Sequence, residues 1–134
     1  IITIEDWSNL KEHIQYDYLK DGYFSELKTA EILSRENIEI EIIDLRTILP
    51  FDSTTCIESV LRTKKMIVLQ ESQYTGGLGH TVSSRVMEET FWDMESPPIV
   101  IGALDTPVPF SPTLEDHTIP TVELVARHVR RMCR

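Results

Sequence analysis

Residues 66–91 read MIVLQESQYTGGLGHTVSSRVMEETF, and this stretch decides the fold class. The apolar run Met66–Leu69 predicts a short buried strand, and Gly76, Gly77 and Gly79 follow it before an amphipathic segment begins. Strand, glycine turn and helix is the order in which many α/β proteins bind a phosphate. The loop lacks the GxGxxG spacing and the lysine of a P-loop, however. We therefore interpret its glycines as residues that allow a tight turn and a close approach of the next chain.

The rest of the chain repeats the same alternation of strand and helix. Repeated strand–helix pairs with nearly continuous apolar strands predict a three-layer α/β domain. Its sheet should be mainly parallel, with about five strands, and one antiparallel edge strand is the alternative. Residues 1–12 do not fit the alternation and are assigned to an N-terminal extension or linker, which leaves 13–134 as the domain. The predicted strands are Ile14–Leu19, Ile38–Leu45, Met66–Leu69 and Ile99–Ile101. The predicted helices are Gly22–Arg35, one that Asp52 or Ser53 caps, Gly79–Trp92 and Thr121–Cys133.

Composition limits the class of partner. The chain has 134 residues and a net charge of −9, which suits one domain and argues against nucleic acid or an anionic membrane as the main partner. Arginines cluster only near the end of the last predicted helix, where they complement the helix dipole. Cys56 and Cys133 lie too far apart for a CxxC site, and we interpret them as free thiols in a reducing compartment.

Four segments together resemble a known family. They are IEIEIIDLRTILPFD (38–52), ESVLRTKKMIVLQES (58–72), GGLGHTVSSRVMEETF (76–91) and GALDTPVPFSPTLEDHTIP (102–120). Their order and spacing resemble the C-terminal domain of the beta subunit of a thiamine diphosphate-dependent 2-oxo acid dehydrogenase. This domain is shared with transketolase. DLRTILPFD favours the branched-chain enzymes and LEDHTIP favours the pyruvate enzymes, so the sequence leaves the substrate open.

The resemblance implies an activity and a set of partners for the parent enzyme. That enzyme would decarboxylate a 2-oxo acid on thiamine diphosphate and magnesium and transfer the acyl group to a lipoyl arm. In the family the cofactor lies between the alpha subunit and the N-terminal domain of the beta subunit, so this domain by itself should bind no cofactor and catalyse nothing. Its expected partners are the alpha subunit, a second beta subunit and the peripheral subunit-binding domain of the acyltransferase. The expected compartment is the cytoplasm, or the mitochondrial matrix in a eukaryote.

The candidate site residues are therefore interface residues, and none is expected to be catalytic or to bind a metal. Glu71 is expected to bond loop amides near a subunit contact, and Arg46 to anchor a carboxylate across a domain boundary or within the domain. Glu95 lies in the segment DMESPP and is the candidate acid for docking the basic subunit-binding module. The full set of partner candidates is Arg46, Glu71, Gly76, Gly77, Gly79, Glu95 and Asp105.

Two alternative functions stay open on the sequence. The first is the C-terminal domain of another transketolase-superfamily enzyme with a sugar phosphate substrate. The second is a non-catalytic, free-standing binding module, which the polar first predicted strand and the unusual N-terminus motivate.

Overall fold

A four-stranded parallel sheet forms the centre of the described structure. The structure is a computed structural model that describes residues 2–4 and 25–134, with side chains from Lys28 onward. The strands are β1 (Ile2–Ile4), β2 (Ile43–Asp44), β3 (Ile67–Gln73) and β4 (Ile99–Ala103), in the spatial order β2-β1-β3-β4. All of their described pairings are parallel. The predicted α/β fold class is confirmed, and the antiparallel alternative has no counterpart in the described ranges.

The position of β1 differs from the sequence analysis. Ile2–Ile4 lie in the middle of the sheet, where Ile2 is in register with Ile43 on one side and with Val68 on the other. The assignment of this triplet to an extension outside the sheet is therefore wrong. Three residues are too few to show a period of their own, and only their pairing identifies them as a strand. The predicted strand Ile14–Leu19 lies outside the described residues and stays a prediction.

Helices cover both faces of the sheet. The helix α2 (Ser53–Thr63) begins after Asp52, whose carboxylate accepts a hydrogen bond from the Thr55 amide at 3.1 Å. Of the two candidates, Asp52 is therefore the N-cap. The helix α3 (Leu78–Thr90) runs into a 3-10 turn at Phe91–Asp93, which divides the predicted helix 79–92. The helices are α1 (Ser25–Ser34), α2 (Ser53–Thr63), α3 (Leu78–Thr90), α4 (Pro112–Glu115) and α5 (Val122–Met132).

The strand β2 is much shorter than the predicted Ile38–Leu45. Within the described residues its ladder joins only Ile43 and Asp44 to Ile2 and Thr3 of β1. The preceding residues are held by side chains instead. The Glu41 carboxylate accepts the Ser59 hydroxyl at 2.9 Å and the Arg62 guanidinium at 2.6 Å.

Two apolar clusters lie on opposite faces of β3. Its successive side chains alternate, as the strand geometry requires, so Val68 enters one cluster and Ile67 and Leu69 enter the other. The first cluster packs under α2 and α3, and the second under α1 and α5. The buried members are Leu45, Cys56, Val60, Met66, Val68, Val82 and Val86 in the first, and Leu33, Ile67, Leu69, Ile101, Val125, Ala126 and Val129 in the second.

Candidate assembly surface at the two ends of the sheet

The side chain of Gln70 organises the glycine loop from inside. It lies on β3, only 1% exposed. Its Oε1 accepts the Gly79 backbone N–H at 2.5 Å, and its Nε2 donates to the Gln73 carbonyl at 2.7 Å. Gly79 belongs to the first turn of α3, whose N–H groups have no partner within the helix. One amide that a bound anion would use is thus bonded to the protein's own core.

The glycines fit around this buried amide. A Cβ at Gly77 would lie 1.8 Å from Gln70 Nε2, one at Gly79 would lie 2.6 Å from Oε1, and one at Gly102 would lie 2.9 Å from Nε2. Gly76 has open space around it but a φ of +77°, which side chains disfavour. Gly76 therefore permits the turn, and the other three glycines permit the close approach.

Asp105 joins the glycine loop to the loop that follows β4. Its two carboxylate oxygens accept the Thr75 amide at 2.8 Å and the Thr75 hydroxyl at 2.7 Å. These hydrogen bonds, the amide bond first, hold the pKa of Asp105 below its usual value. The Gln73 side chain also donates to the Thr106 carbonyl at 2.7 Å. The two loops are therefore presented to solvent as one connected surface.

Two aromatic rings lie at the start of this surface. The rings of Tyr74 and His80 meet edge to face with centroids 4.7 Å apart, and His80 Nε2 lies 3.1 Å from the Tyr74 carbonyl oxygen. Both side chains are exposed. His80 thus lies in the first turn of α3 and contacts the loop.

The other two polar candidates at this edge are exposed and stand apart from the loop amides. Glu71 was expected to bond those amides, but the side chain that does so is Gln70, one position earlier. The alternation of β3 was the available signal, because it puts residue 70 on the same inward face as Val68. Arg46 has a φ of 49°, and its Nε donates to the Asp44 carboxylate at 3.2 Å. Of the two roles expected for Arg46, the structure therefore contains the ion pair within the domain.

Exposed apolar side chains surround these loops. We call Tyr74, Leu104, Val108 and Phe110 the carboxyl-edge patch, because all four follow the carboxyl ends of β3 and β4. Phe110 is fully exposed. Leu49 follows β2 at the same edge of the sheet and is 90% exposed. Exposed apolar groups that share one side of a domain are typical of an interaction site.

Glu95 lies at the opposite edge, where the chain enters β4. Its carboxylate accepts the Lys65 ammonium at 2.6 Å, and its backbone N–H donates to the Lys64 carbonyl at 3.0 Å. The Lys65 hydrogen bond is the main reason that the pKa of Glu95 lies below its usual value. Asp93 pairs with Lys64 at 3.4 Å, and Trp92 beside it is 93% exposed. The docking candidate is therefore a charged surface group that already has one partner.

The described residues contain no group of three or more His, Cys, Asp or Glu side chains that could hold a metal ion. Within the same ranges no helix is long and apolar enough to cross a membrane. Cys56 is buried, and burial raises the pKa of its thiol to about 11, whereas Cys133 is exposed.

Comparison with known proteins identifies a family and several relatives. Residues 24–125 match the family model described as "Transketolase, C-terminal domain". Among curated proteins, the chain is 36% identical over 107 residues to the "Pyruvate dehydrogenase E1 component subunit beta" of Rickettsia felis, a match that covers 80% of this chain and 33% of the relative. The mitochondrial "Pyruvate dehydrogenase E1 component subunit beta-1" of Oryza sativa subsp. japonica is also 36% identical over 107 residues, covering 80% of this chain and 29% of the relative.

A third relative carries a different name. The "Acetoin:2,6-dichlorophenolindophenol oxidoreductase subunit beta" of Cupriavidus necator is 37% identical over 105 residues, which cover 78% of this chain and 31% of the relative. The chain thus spans about a third of the length of these curated relatives. Among solved structures, "Split gene transketolase, inactive beta4 tetramer" superposes with a TM-score of 0.65 at 19% identity, covering 98% of this chain and 36% of that one. This likeness supports the fold.

Proposed function

This chain belongs to the transketolase C-terminal domain family, and from that membership we propose that it is the assembly domain of a 2-oxo acid dehydrogenase beta subunit. The parent enzyme would decarboxylate a 2-oxo acid on thiamine diphosphate and magnesium and pass the acyl group to a lipoyl arm. This domain would contact the alpha subunit and a second beta subunit and would leave the cofactor to other domains. The observation that carries the proposal is the similarity to beta subunits over 107 residues.

The carboxyl-edge patch supports the assembly role physically. Val108 is 70% exposed and Phe110 is fully exposed, so covering them would remove apolar surface from water. Burial of an aromatic side chain in an interface contributes a large share of binding free energy. The bonds of Asp105 and Gln73 fix the two loops beforehand, which reduces the entropy lost when a partner binds. The exposed apolar side chains and the fixed loops of the carboxyl-edge patch therefore favour a role in contact between subunits.

Subunit assembly can be tested in the parent enzyme. We expect Phe110→Asp to shift the co-expressed alpha and beta subunits toward smaller species in analytical ultracentrifugation, because a charge would enter the apolar contact. Trp92→Asp is the matched control, since Trp92 is as exposed as Phe110 but lies at the opposite edge. Unchanged assembly with Phe110→Asp, or equal disruption by both variants, contradicts the proposed contact.

The cofactor assignment has its own measurement. We expect no heat of binding when the chain alone is titrated with thiamine diphosphate and Mg²⁺ in a calorimeter, because the proposal places the cofactor on other domains. Tight stoichiometric binding would contradict the proposal that other domains of the enzyme bind the cofactor.

Glu95, at the edge of the sheet where the chain enters β4, supports a second part of the assembly role, which is docking of the acyltransferase. We propose that Glu95 binds the basic peripheral subunit-binding module of the acyltransferase. Its carboxylate is exposed, stays ionised at neutral pH, and lies beside Pro97 and Pro98, which restrict the backbone. An incoming arginine would have to share this carboxylate with Lys65. Lys65 therefore acts as an internal competitor in this proposal.

The competition makes opposite predictions for two variants. Glu95→Gln should weaken binding of the module and reduce its salt dependence in surface plasmon resonance on the assembled enzyme. Lys65→Gln should strengthen binding, because the carboxylate is then free. Asp93→Asn is the control for a neighbouring acid of the same turn. Unchanged affinity of a folded Glu95→Gln variant at low salt would remove Glu95 from the docking surface.

The substrate is proposed as a class. The named relatives include pyruvate dehydrogenase beta subunits and an acetoin oxidoreductase beta subunit at nearly equal identity. The similarity of these relatives to this chain therefore favours neither pyruvate nor acetoin as the substrate of the parent enzyme. Turnover of the complete parent enzyme with pyruvate, a branched-chain 2-oxo acid and acetoin would identify the substrate, and activity on acetoin alone would contradict the 2-oxo acid assignment.

A further inference from the structure

Three arginines form a stripe along the outer face of α5. Arg127, Arg131 and Arg134 are separated by four and three residues, which puts them on one side of a helical path, with Arg134 just past the last turn. All three side chains are exposed. The buried face of the helix, Val125, Ala126 and Val129, points away from them into the core. We call these three residues the arginine stripe.

Most other described basic residues have an acidic partner, whereas the stripe has none within ion-pair distance, although Glu123 lies one turn before Arg127 on the same face of α5. The chain carries a net charge of −9, and ion pairs take up much of its positive charge. The arginine stripe forms no ion pair with a residue that the structure describes, although Arg130 on the flank of the same helix is bonded to Glu36 at 2.6 and 2.8 Å. The basic residues with acidic partners are Arg35, Arg46, Arg62, Lys64, Lys65 and Arg130.

The imidazole of His128 lies next to Arg127 in the chain and close to Arg131. Burial first, and then the charges of Arg127 and Arg131, lower the pKa of His128. Its Nδ1 is buried and has no hydrogen-bond partner in the described part of the chain. Like charges at this helical spacing also repel each other, which destabilises the helix slightly. An anionic partner would relieve this repulsion.

We propose that the arginine stripe is the binding surface for an acidic helix of a partner protein, with carboxylates at positions i, i+4 and i+7. Such a helix presents its acids at the same spacing as the three guanidinium groups, so that each arginine meets one carboxylate. The stripe covers about 10 Å of helix length, which is a short contact. This surface is distinct from both edges of the sheet that serve the proposed assembly.

Charge decides between this partner and an extended polyanion. A duplex nucleic acid or an anionic membrane would face the repulsion of the whole chain with its net charge of −9, whereas a short helix meets only the local positive field. Local complementarity within about one Debye length is enough for a peptide of this size.

The experiment uses a fluorescein-labelled, alanine-based helical peptide with glutamates at i, i+4 and i+7, and the full-length chain. Fluorescence anisotropy at about 50 mM salt should show saturable binding. The double variant Arg127→Gln/Arg131→Gln should bind about tenfold more weakly, since each exposed charge pair contributes a few-fold. The matched control is Arg85→Gln, because Arg85 is an exposed arginine of α3 outside any described ion pair. The peptide should also shift the imidazole NMR resonances of His128.

Three outcomes would overturn the proposal. They are equal weakening by Arg85→Gln, equal binding of a peptide with the same composition but its glutamates scattered around the helix, and tighter binding of a duplex DNA oligonucleotide or of phosphatidylserine vesicles. Circular dichroism of the double variant confirms that it is folded. Saturable binding of the matched peptide by both the chain and Arg85→Gln, together with loss in the double variant, establishes the surface.

Discussion

Replacing Gln70 with leucine should destabilise the domain although leucine is apolar and the site is buried. The change keeps roughly the same volume but removes both hydrogen bonds of the side-chain amide. The Gly79 N–H is buried, and leaving it without a partner costs about 1–3 kcal/mol. Loss of the hydrogen bond to the less buried Gln73 carbonyl costs about 0.5–1.5 kcal/mol more, the net value of one hydrogen bond. Burial of the apolar leucine side chain offsets about 1 kcal/mol of this loss.

The net loss is about 0.5–3.5 kcal/mol, which corresponds to a decrease in Tm of roughly 2–12 °C for a domain of this size. Urea unfolding followed by far-UV circular dichroism measures the free energy. Gln73→Leu is the matched control, because Gln73 lies on the same strand but its side chain is exposed. We expect it to change stability by less than about 1 kcal/mol. A loss for Gln70→Leu no larger than that of the control would refute the role assigned to the buried amide.

Gln70→Glu tests the same geometry through pH. The new carboxylate can still accept the Gly79 N–H, but its second oxygen would face the Gln73 carbonyl oxygen. Only the protonated acid donates there, so the pKa of this group should be higher in the folded than in the unfolded chain. The penalty is therefore complete above the folded pKa and disappears as pH falls below about 4.3, the unfolded value. Destabilisation that does not shrink between pH 7 and pH 5 contradicts this account.

Other positions make independent predictions. Gly79→Ala should lower stability by about 1–3 kcal/mol in urea unfolding because its Cβ meets the buried amide, and a smaller effect than about 0.5 kcal/mol would contradict the close approach. Iodoacetamide at pH 8 should alkylate the exposed Cys133 and spare the buried Cys56, and mass spectrometry of the native chain would show equal labelling if Cys56 were accessible. Arg130 lowers the pKa of Glu36, so this carboxylate contributes stability above the unfolded pKa that is lost as pH falls through the folded value. Glu36→Gln should therefore lose less stability than the native chain between about pH 5 and pH 3, and parallel pH profiles would count against the pair.

Local rules determined much of the fold. The i, i+4 spacing of Val82 and Val86, which are both fully buried, was readable from the sequence because a helix places such residues on one face. The start of α2 was readable as well, since the Asp52 cap depends on residues only three positions apart. The glycine turn after β3 also follows from nearest neighbours in the chain. The family resemblance added the domain identity, which the comparisons confirm.

Only the tertiary structure decided which residues form the central strand of the sheet and which side chains bond the loops at its two edges. Ile2–Ile4 became a central strand because β2 and β3 leave a place between them, and no local pattern records that place. Gln70 became the organiser of the loop because β3 carries its inward register one residue past the apolar run and meets the glycines there. Lys65 forms an ion pair with Glu95, which is 30 positions away in the sequence, and Glu36 forms one with Arg130, which is 94 positions away. Such partners are decided by the packing of whole helices and strands, because a side chain's own neighbours in the sequence contain no record of the distant group it meets.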